Sequence, residues 1–143
     1  MSARPEAVAA AAWWADRLAA GARTHDVGDR EASERISQVA ALVARQREQA
    51  QIERFRDALA DLVEEHLAAR VWRPTEPKFG SGLRVIDIDY APHPVLTRAA
   101  ERAGFRLGGL DLPLKTAMWI NPGEVRVAEG YSAPIATVWR ADR

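Results

Sequence analysis

Asp87 and Asp89, set between Ile86 and Ile88, are the residues of this chain best spaced for catalysis. In an extended strand, residues i and i+2 project to one face, so two carboxylates placed there can share a hard cation such as Mg²⁺. With Asp111 as a third oxygen ligand and Lys115 to neutralise charge developing on a phosphorane, the set describes a metal-dependent phosphodiesterase or nuclease. A simpler reading competes with it, in which Ile86 and Ile88 face a core and the two acids face water. The simpler reading is preferred, because Asp-x-Asp is a common pattern and Asp111 falls in a loop.

Other catalytic groupings are incomplete. His25, His66 and His93 are scattered, with no pair at the helical spacing of metal ligands. His25, Asp26 and Asp29 fit turn and capping roles, and His66 lies at the edge of an apolar helical stripe. Neither a nucleophile elbow nor a phosphate or dinucleotide glycine pattern occurs, and Gly80-Ser81-Gly82 reads as a loop. The chain has no cysteine, which removes disulfides, thiolate nucleophiles and Cys-based zinc sites together. No cofactor and no metal is therefore expected, and the preferred reading is not an enzyme.

The residues suited to binding lie in the stretch 112–127. There, Met118-Trp119-Ile120 runs through Asn121-Pro122-Gly123-Glu124 into Val125-Arg126-Val127. Pro then Gly at the two central turn positions supply the fixed negative φ and the free positive φ of a type II turn, so a β-hairpin is predicted. Alternation pairs Ile120 with Val125 and Met118 with Val127 on one face and leaves Trp119 opposite Arg126 on the other. An exposed cation-π pair is worth only about 0.5 to 1 kcal/mol, and the first helix could cover it. Aromatic and Arg side chains are nonetheless what interface hot spots are made from. The expected partner-binding set is Trp119 and Arg126, enlarged by Lys115, Tyr131 and Trp139.

Several elements must position these residues. Pro5 and Glu6 start a first helix, with Val8, Ala11, Ala12, Ala15 and Leu18 as its apolar face, Trp14 near the edge of that face and Gly21 as its stop. From residue 30 to 73 there is neither Gly nor Pro, and helix is predicted. The stripe Ile36, Val39, Ala40, Val43 is rotated by roughly 150° from the stripe Ile52, Phe55, Leu59, Leu62, Val63, Leu67. The polar segment 45–51 therefore reads as a break between two helices, in preference to the middle of one long helix with two different partners. Pro74, Pro77, Gly80 and Gly82 make a loop; a strand follows over 83–90, a short helix over 95–103, and a last strand over 135–140. The expectation is one α+β domain over 1–143 in the order α-α-α-β-α-β-β-β. Three N-terminal helices (1–73) pack on a small, mainly antiparallel C-terminal sheet (83–140), the Ile52 to Leu67 stripe receiving its inner face.

Taken with Leu112-Pro113-Leu114-Lys115-Thr116, the hairpin residues, Gly130-Tyr131 and the distant Trp13-Trp14-Ala15, the chain resembles small proteins of actinobacteria and actinophages. The resemblance implies no activity, cofactor or catalytic residue. Eighteen Arg against two Lys, with 28 Ala, fit the GC-rich codon pool of such organisms.

Composition narrows the partner. At 143 residues the chain can bury roughly 70% of its unfolded surface. Formal net charge is zero, with ten Arg against twelve acids through residue 70 and ten bases against eight acids after it. Arg45, Arg47, Arg54 and Arg56 make a locally basic helix junction that Glu48, Glu53 and Asp57 dilute, so a nucleic-acid partner ranks below a protein one. The apolar run around Trp13 and Trp14 is too short to span a membrane and lacks the order of a secretory signal, and a cytoplasmic protein is expected. The leading reading is a non-enzymatic accessory or interaction protein of a bacterium or its phage, binding a protein partner through the Trp119 face. A metal-dependent phosphodiesterase through Asp87 and Asp89 is the alternative, and nucleic-acid binding the second.

Overall fold

The structure, a computed structural model, describes residues 2–20, 28–44, 48–108, 111–130 and 133–142. Three helices come first: α1 (Pro5–Ala20), α2 (Arg30–Ala44) and α3 (Gln49–Ala68). Then follow β1 (Ile86–Asp89), α4 (Pro94–Arg102), β2 (Lys115–Asn121), β3 (Glu124–Glu129) and β4 (Ala136–Arg140). The strands form one antiparallel sheet in the order β1-β2-β3-β4. This is the α+β architecture expected, element for element, including separate second and third helices.

Each helix start has a local cause. Pro5 pre-sets the first turn of α1. Asp29 Oδ1 accepts the Ala32 N–H at 2.9 Å and caps α2. His93 Nδ1 accepts the Val95 N–H at 3.1 Å, with Pro94 next in line, and caps α4. Gly21 and Asp26 lie outside the described residues.

Two expectations about buried faces need correction. The inner face of α1 is Ala7, Ala10, Ala11, Trp14, Ala15 and Leu18, all nearly or fully buried, while Val8 is 51% exposed. In a helix so rich in Ala, the large Trp14 ring sets which side turns inward, because its burial outweighs that of Val8. Trp13 packs edge-on against Trp14, ring centroids 4.9 Å apart, at the rim of the core. The second correction concerns the sheet. α1 itself lies against β2, β3 and β4, and α3 packs on α1 and α4. The Ala-rich face of α1 lets its backbone come close, whereas the bulkier Phe55, Leu59 and Leu62 of α3 join the same core from behind it.

α1 is fastened along the hairpin at both ends. Glu6 Oε2 accepts the Gly123 N–H at the turn (2.9 Å), and Arg17 Nε donates to Glu129 Oε2 at the far end of β3 (2.8 Å). Arg4 forms a bidentate pair with Glu64, tying the start of α1 to α3.

The first strand begins later than its sequence pattern suggests. Ser81–Leu83 is a turn of 3₁₀ helix, and Arg84 is drawn wholly inside. All five guanidinium N–H groups of Arg84 donate, to the carbonyls of Ile120, Val71, Phe79 and Pro77 and to Asn121 Oδ1, at 2.6 to 3.0 Å. Desolvation lowers its pKa, and the full set of acceptors is what makes a buried guanidinium tolerable. Arg84 thus pins the 71–79 segment to the tip of the β2–β3 hairpin. Gly80 is required there twice over: its φ is 74°, and a Cβ would sit 3.2 Å from Arg84 Nη1.

Candidate functional site

The β2–β3 hairpin forms in the register expected from alternation. Met118 pairs with Val127, Trp119 with Arg126, and Ile120 with Val125. Asn121 pairs with Glu124, so Pro122 and Gly123 alone make the loop, with Gly123 at φ 82°. Thr116, Met118, Ile120, Val125 and Val127 are buried beneath the helices; of the alternate residues on the two strands, Asn121, held by Arg84, is buried and the others are not.

That alternate set defines an outer face. Trp119 and Arg126 sit side by side in neighbouring strands, with Thr137 of β4 next in the row. The row above it is Asn121, Glu124 and Arg140. Glu124 is the electrostatic centre of this corner: Arg140 Nη2 lies 2.7 Å and Arg126 Nε 3.7 Å from its carboxylate oxygens. At the other end of β2, Lys115 pairs with Asp89 across the β1–β2 ladder and lies 4.4 Å from the centroid of the Tyr90 ring.

The five tryptophans separate the two sides. Trp14 is in the core, and Trp13, Trp72 and Trp139 pack against it. Trp119 is half-buried and belongs to neither group. Of the residues expected to bind a partner, Trp119, Arg126 and Lys115 therefore share the outer face. Trp139 does not: it pairs with buried Val125 and turns to the core side. A β-bulge opposite Val125 and Arg126 shifts the β4 register, so counting by twos from Thr137 misplaces Trp139. Tyr131 lies outside the described residues.

Asp87 and Asp89 share the exposed face of β1, with Ile86 and Ile88 buried on the other, and Asp111 does not join them in a metal-binding group. Asp89 is held by Lys115, and Asp87 stands opposite Ala117. Asp111 is buried, its Oδ2 accepting the Gly108 N–H at 2.6 Å to close a loop. Among the described residues no group of three His, Asp or Glu is arranged to hold a metal ion. Of the basic helix junction, Arg45 and Arg47 lie outside the described residues, and Arg56 stands 3.7 Å from Asp57.

Two features had no clear signal in the sequence. A cleft of about 810 Å³ opens between Pro74, Pro77 and Phe79 on one wall and Pro122, Gly123, Glu124 and Arg140 on the other. It exists because Arg84 draws the proline loop onto the hairpin tip, and it meets the outer face at Glu124 and Arg140. The second feature is a histidine pair. His66 of α3 and His93 at the start of α4 meet edge to face, ring centroids 5.3 Å apart. Burial first, then the charge of Arg70 and the neighbouring His93, push the His66 pKa down to about 4. His93 is lowered as well, again chiefly by burial. His66 Nε2 has no hydrogen-bond partner within the described structure. His25 lies outside the described residues. None of the described helices is long and apolar enough to cross a membrane.

Comparison with known proteins places this geometry in a family. The model of the BTG family matches residues 29–139. Human protein BTG1 is 33% identical over 97 residues, an overlap covering 64% of this chain and 54% of that protein. Rat protein BTG2 is 33% identical over 94 residues, covering 58% and 56%, and human protein Tob1 is 32% identical over 73 residues, covering 50% and 21%. The chain thus spans about half the length of the BTG1 and BTG2 relatives it matches. The BTG/Tob domain of C. elegans FOG-3 superposes with a TM-score of 0.58 at 22% identity, over 76% of this chain and 79% of that one, a likeness of fold. These matches overturn the resemblance to actinobacterial and actinophage proteins. That resemblance rested on short hairpin strings and on codon bias, whereas the family match runs from the start of α2 into β4: the chain belongs to the BTG family.

Proposed function

We propose that the chain is a non-enzymatic adaptor that binds a protein partner through the outer face of its sheet, with Trp119 and Arg126 at the centre and Lys115 at the margin. The carrying observation is the placement of Trp119, which stands in register with Arg126 on the side away from α1 while the other four tryptophans serve the core. A large aromatic ring and a guanidinium on a rigid strand pair lose little entropy on docking, which is why such residues dominate interface energies. Glu124, placed between Arg126 and Arg140, keeps the basic groups in position and adds polar matching at the rim.

Membership in a family whose relatives include BTG1, BTG2 and Tob1 fits an interaction role better than a catalytic one. The test is direct. A partner captured from lysate by the wild-type chain is identified, purified and titrated against Trp119→Ala and Arg126→Ala, each first verified as folded by circular dichroism. At hot-spot magnitude, Trp119→Ala should weaken binding about thirtyfold or more. Equal affinity for the folded double variant and the wild type would remove this reading.

A further inference from the structure

A second, chemically different surface lies on the helical layer. Arg98 and Arg102 are both exposed and stand one turn apart on α4, so they project side by side from the face opposite buried Leu96, Ala99 and Ala100. Arg106, also exposed, lies four residues beyond Arg102 in sequence. It follows the Gly104 turn in a short extended segment whose half-buried Phe105 and Leu107 pack inward, leaving Arg106 outward and exposed. The Phe105 ring meets Phe55 of α3 at 5.8 Å, which brings this segment alongside the part of α3 that carries exposed Arg54.

These guanidinium groups differ from the others among the described residues. Arg4, Arg17 and Arg140 are paired with carboxylates, and Arg84 is saturated by carbonyls. Among the described residues, Arg98, Arg102, Arg106 and Arg54 have neither ion pair nor hydrogen bond to any side chain, and Glu101, the acid between Arg98 and Arg102 in sequence, pairs with none of them. Unpaired like charges at one-turn spacing repel each other modestly, so an anion that bridges them gains that repulsion back as well as its own attraction.

We infer that the exposed Arg98 and Arg102 of α4, with Arg106 beyond its C-terminal turn, form a docking site for a phosphorylated segment of a partner protein. Three observations select that occupant. Guanidinium forks bind phosphate oxygens bidentately, and a phosphoserine or phosphothreonine brings nearly two charges and three acceptor oxygens to one point. The set is small: three or four cations match one or two phosphates on a peptide, whereas a nucleic acid held by its backbone calls for a longer basic track, and this chain has zero net charge. No exposed aromatic side chain stands beside these arginines on α4 to stack an unpaired base. The site is independent of the Trp119 face, since α4 packs on α3 in the helical layer.

The experiment is a fluorescence anisotropy titration of the full chain with three labelled probes: a flexible peptide carrying two phosphoserines three residues apart, the same peptide unphosphorylated, and a twelve-nucleotide single-stranded RNA. The inference expects saturable binding of the phosphopeptide, at least tenfold weaker binding of the unphosphorylated form, and at least a tenfold loss with Arg98→Ala/Arg102→Ala/Arg106→Ala. All three residues are exposed, and thermal unfolding verifies that the triple variant is folded; a variant with Lys at the three positions, which keeps the charge and loses the fork, should fall between. Trp119→Ala should bind the phosphopeptide as the wild type does. No saturable phosphopeptide binding, equal binding by the triple variant, or tighter binding of the RNA that depends on the same arginines would each overturn the inference.

Discussion

The two faces of the β2–β3 hairpin are built from one alternating sequence and meet opposite fates. Met118, Ile120, Val125 and Val127 lie under α1, which Glu6 and Arg17 fasten to the turn and to the far end of β3. Trp119, Arg126 and Lys115, interleaved with them residue by residue, stay on the side away from α1. The difference shows that hydrophobicity alone does not assign a face. Trp119 is the largest residue of the hairpin, yet it stands outside the core, because period-2 geometry ties it to Arg126 and Lys115 and against its own neighbours.

This contrast can be broken most forcefully from the inside. Ile120→Ala should lower unfolding free energy by about 4 kcal/mol, because the site is fully enclosed and cannot collapse around the lost atoms. Urea denaturation measures it, and a loss near zero would mean that the inner face is not the structural one.

Acid should separate the two layers next. His66 has a folded pKa of about 4 against an ordinary value of 6.5, so as pH falls below 6.5 the unfolded chain takes up a proton that the folded chain refuses. Stability is therefore complete above that range, is lost progressively from about pH 6.5 to about pH 4, and levels off below; the full effect is about 3 kcal/mol. His93 adds to the loss in the same direction. Replacing His66 with Phe should flatten that part of the profile, and an unchanged slope in the folded variant would contradict the role given to His66.

The smallest effect belongs to the outer face. Arg126→Ala and Trp119→Ala should each shift stability by less than about 1 kcal/mol, since neither side chain is packed in the core. A loss as large as that of Ile120→Ala would erase the distinction between the faces.

Legibility followed the distance over which the deciding contact is made. The hairpin register was readable because every partner lies within a few residues of a turn whose chemistry is local. The break between α2 and α3 was favoured because two apolar stripes of different phase face opposite sides of one straight helix, although the same stripes fit a long helix with two different partners. The side taken by Trp139 was not, since a bulge is a feature of two paired strands and of neither alone. Arg84 looked like part of a strand; its acceptors at Val71 and Ile120 lie 13 and 36 residues away.

The amino-acid pattern by itself determined the order of elements, the α+β class and the pairing of Trp119 with Arg126, all consequences of periodicity and turn residues acting over short spans. Only the tertiary structure decided that α1 covers the inner face, that Val8 points outward, that His66 meets His93, and that Asp111 turns into a loop contact with Gly108 instead of joining Asp87 and Asp89. Those outcomes depend on which surfaces compete for burial once distant segments meet. Burial energy is non-directional, and an Ala-rich helix or a lone carboxylate carries no local mark of the winner.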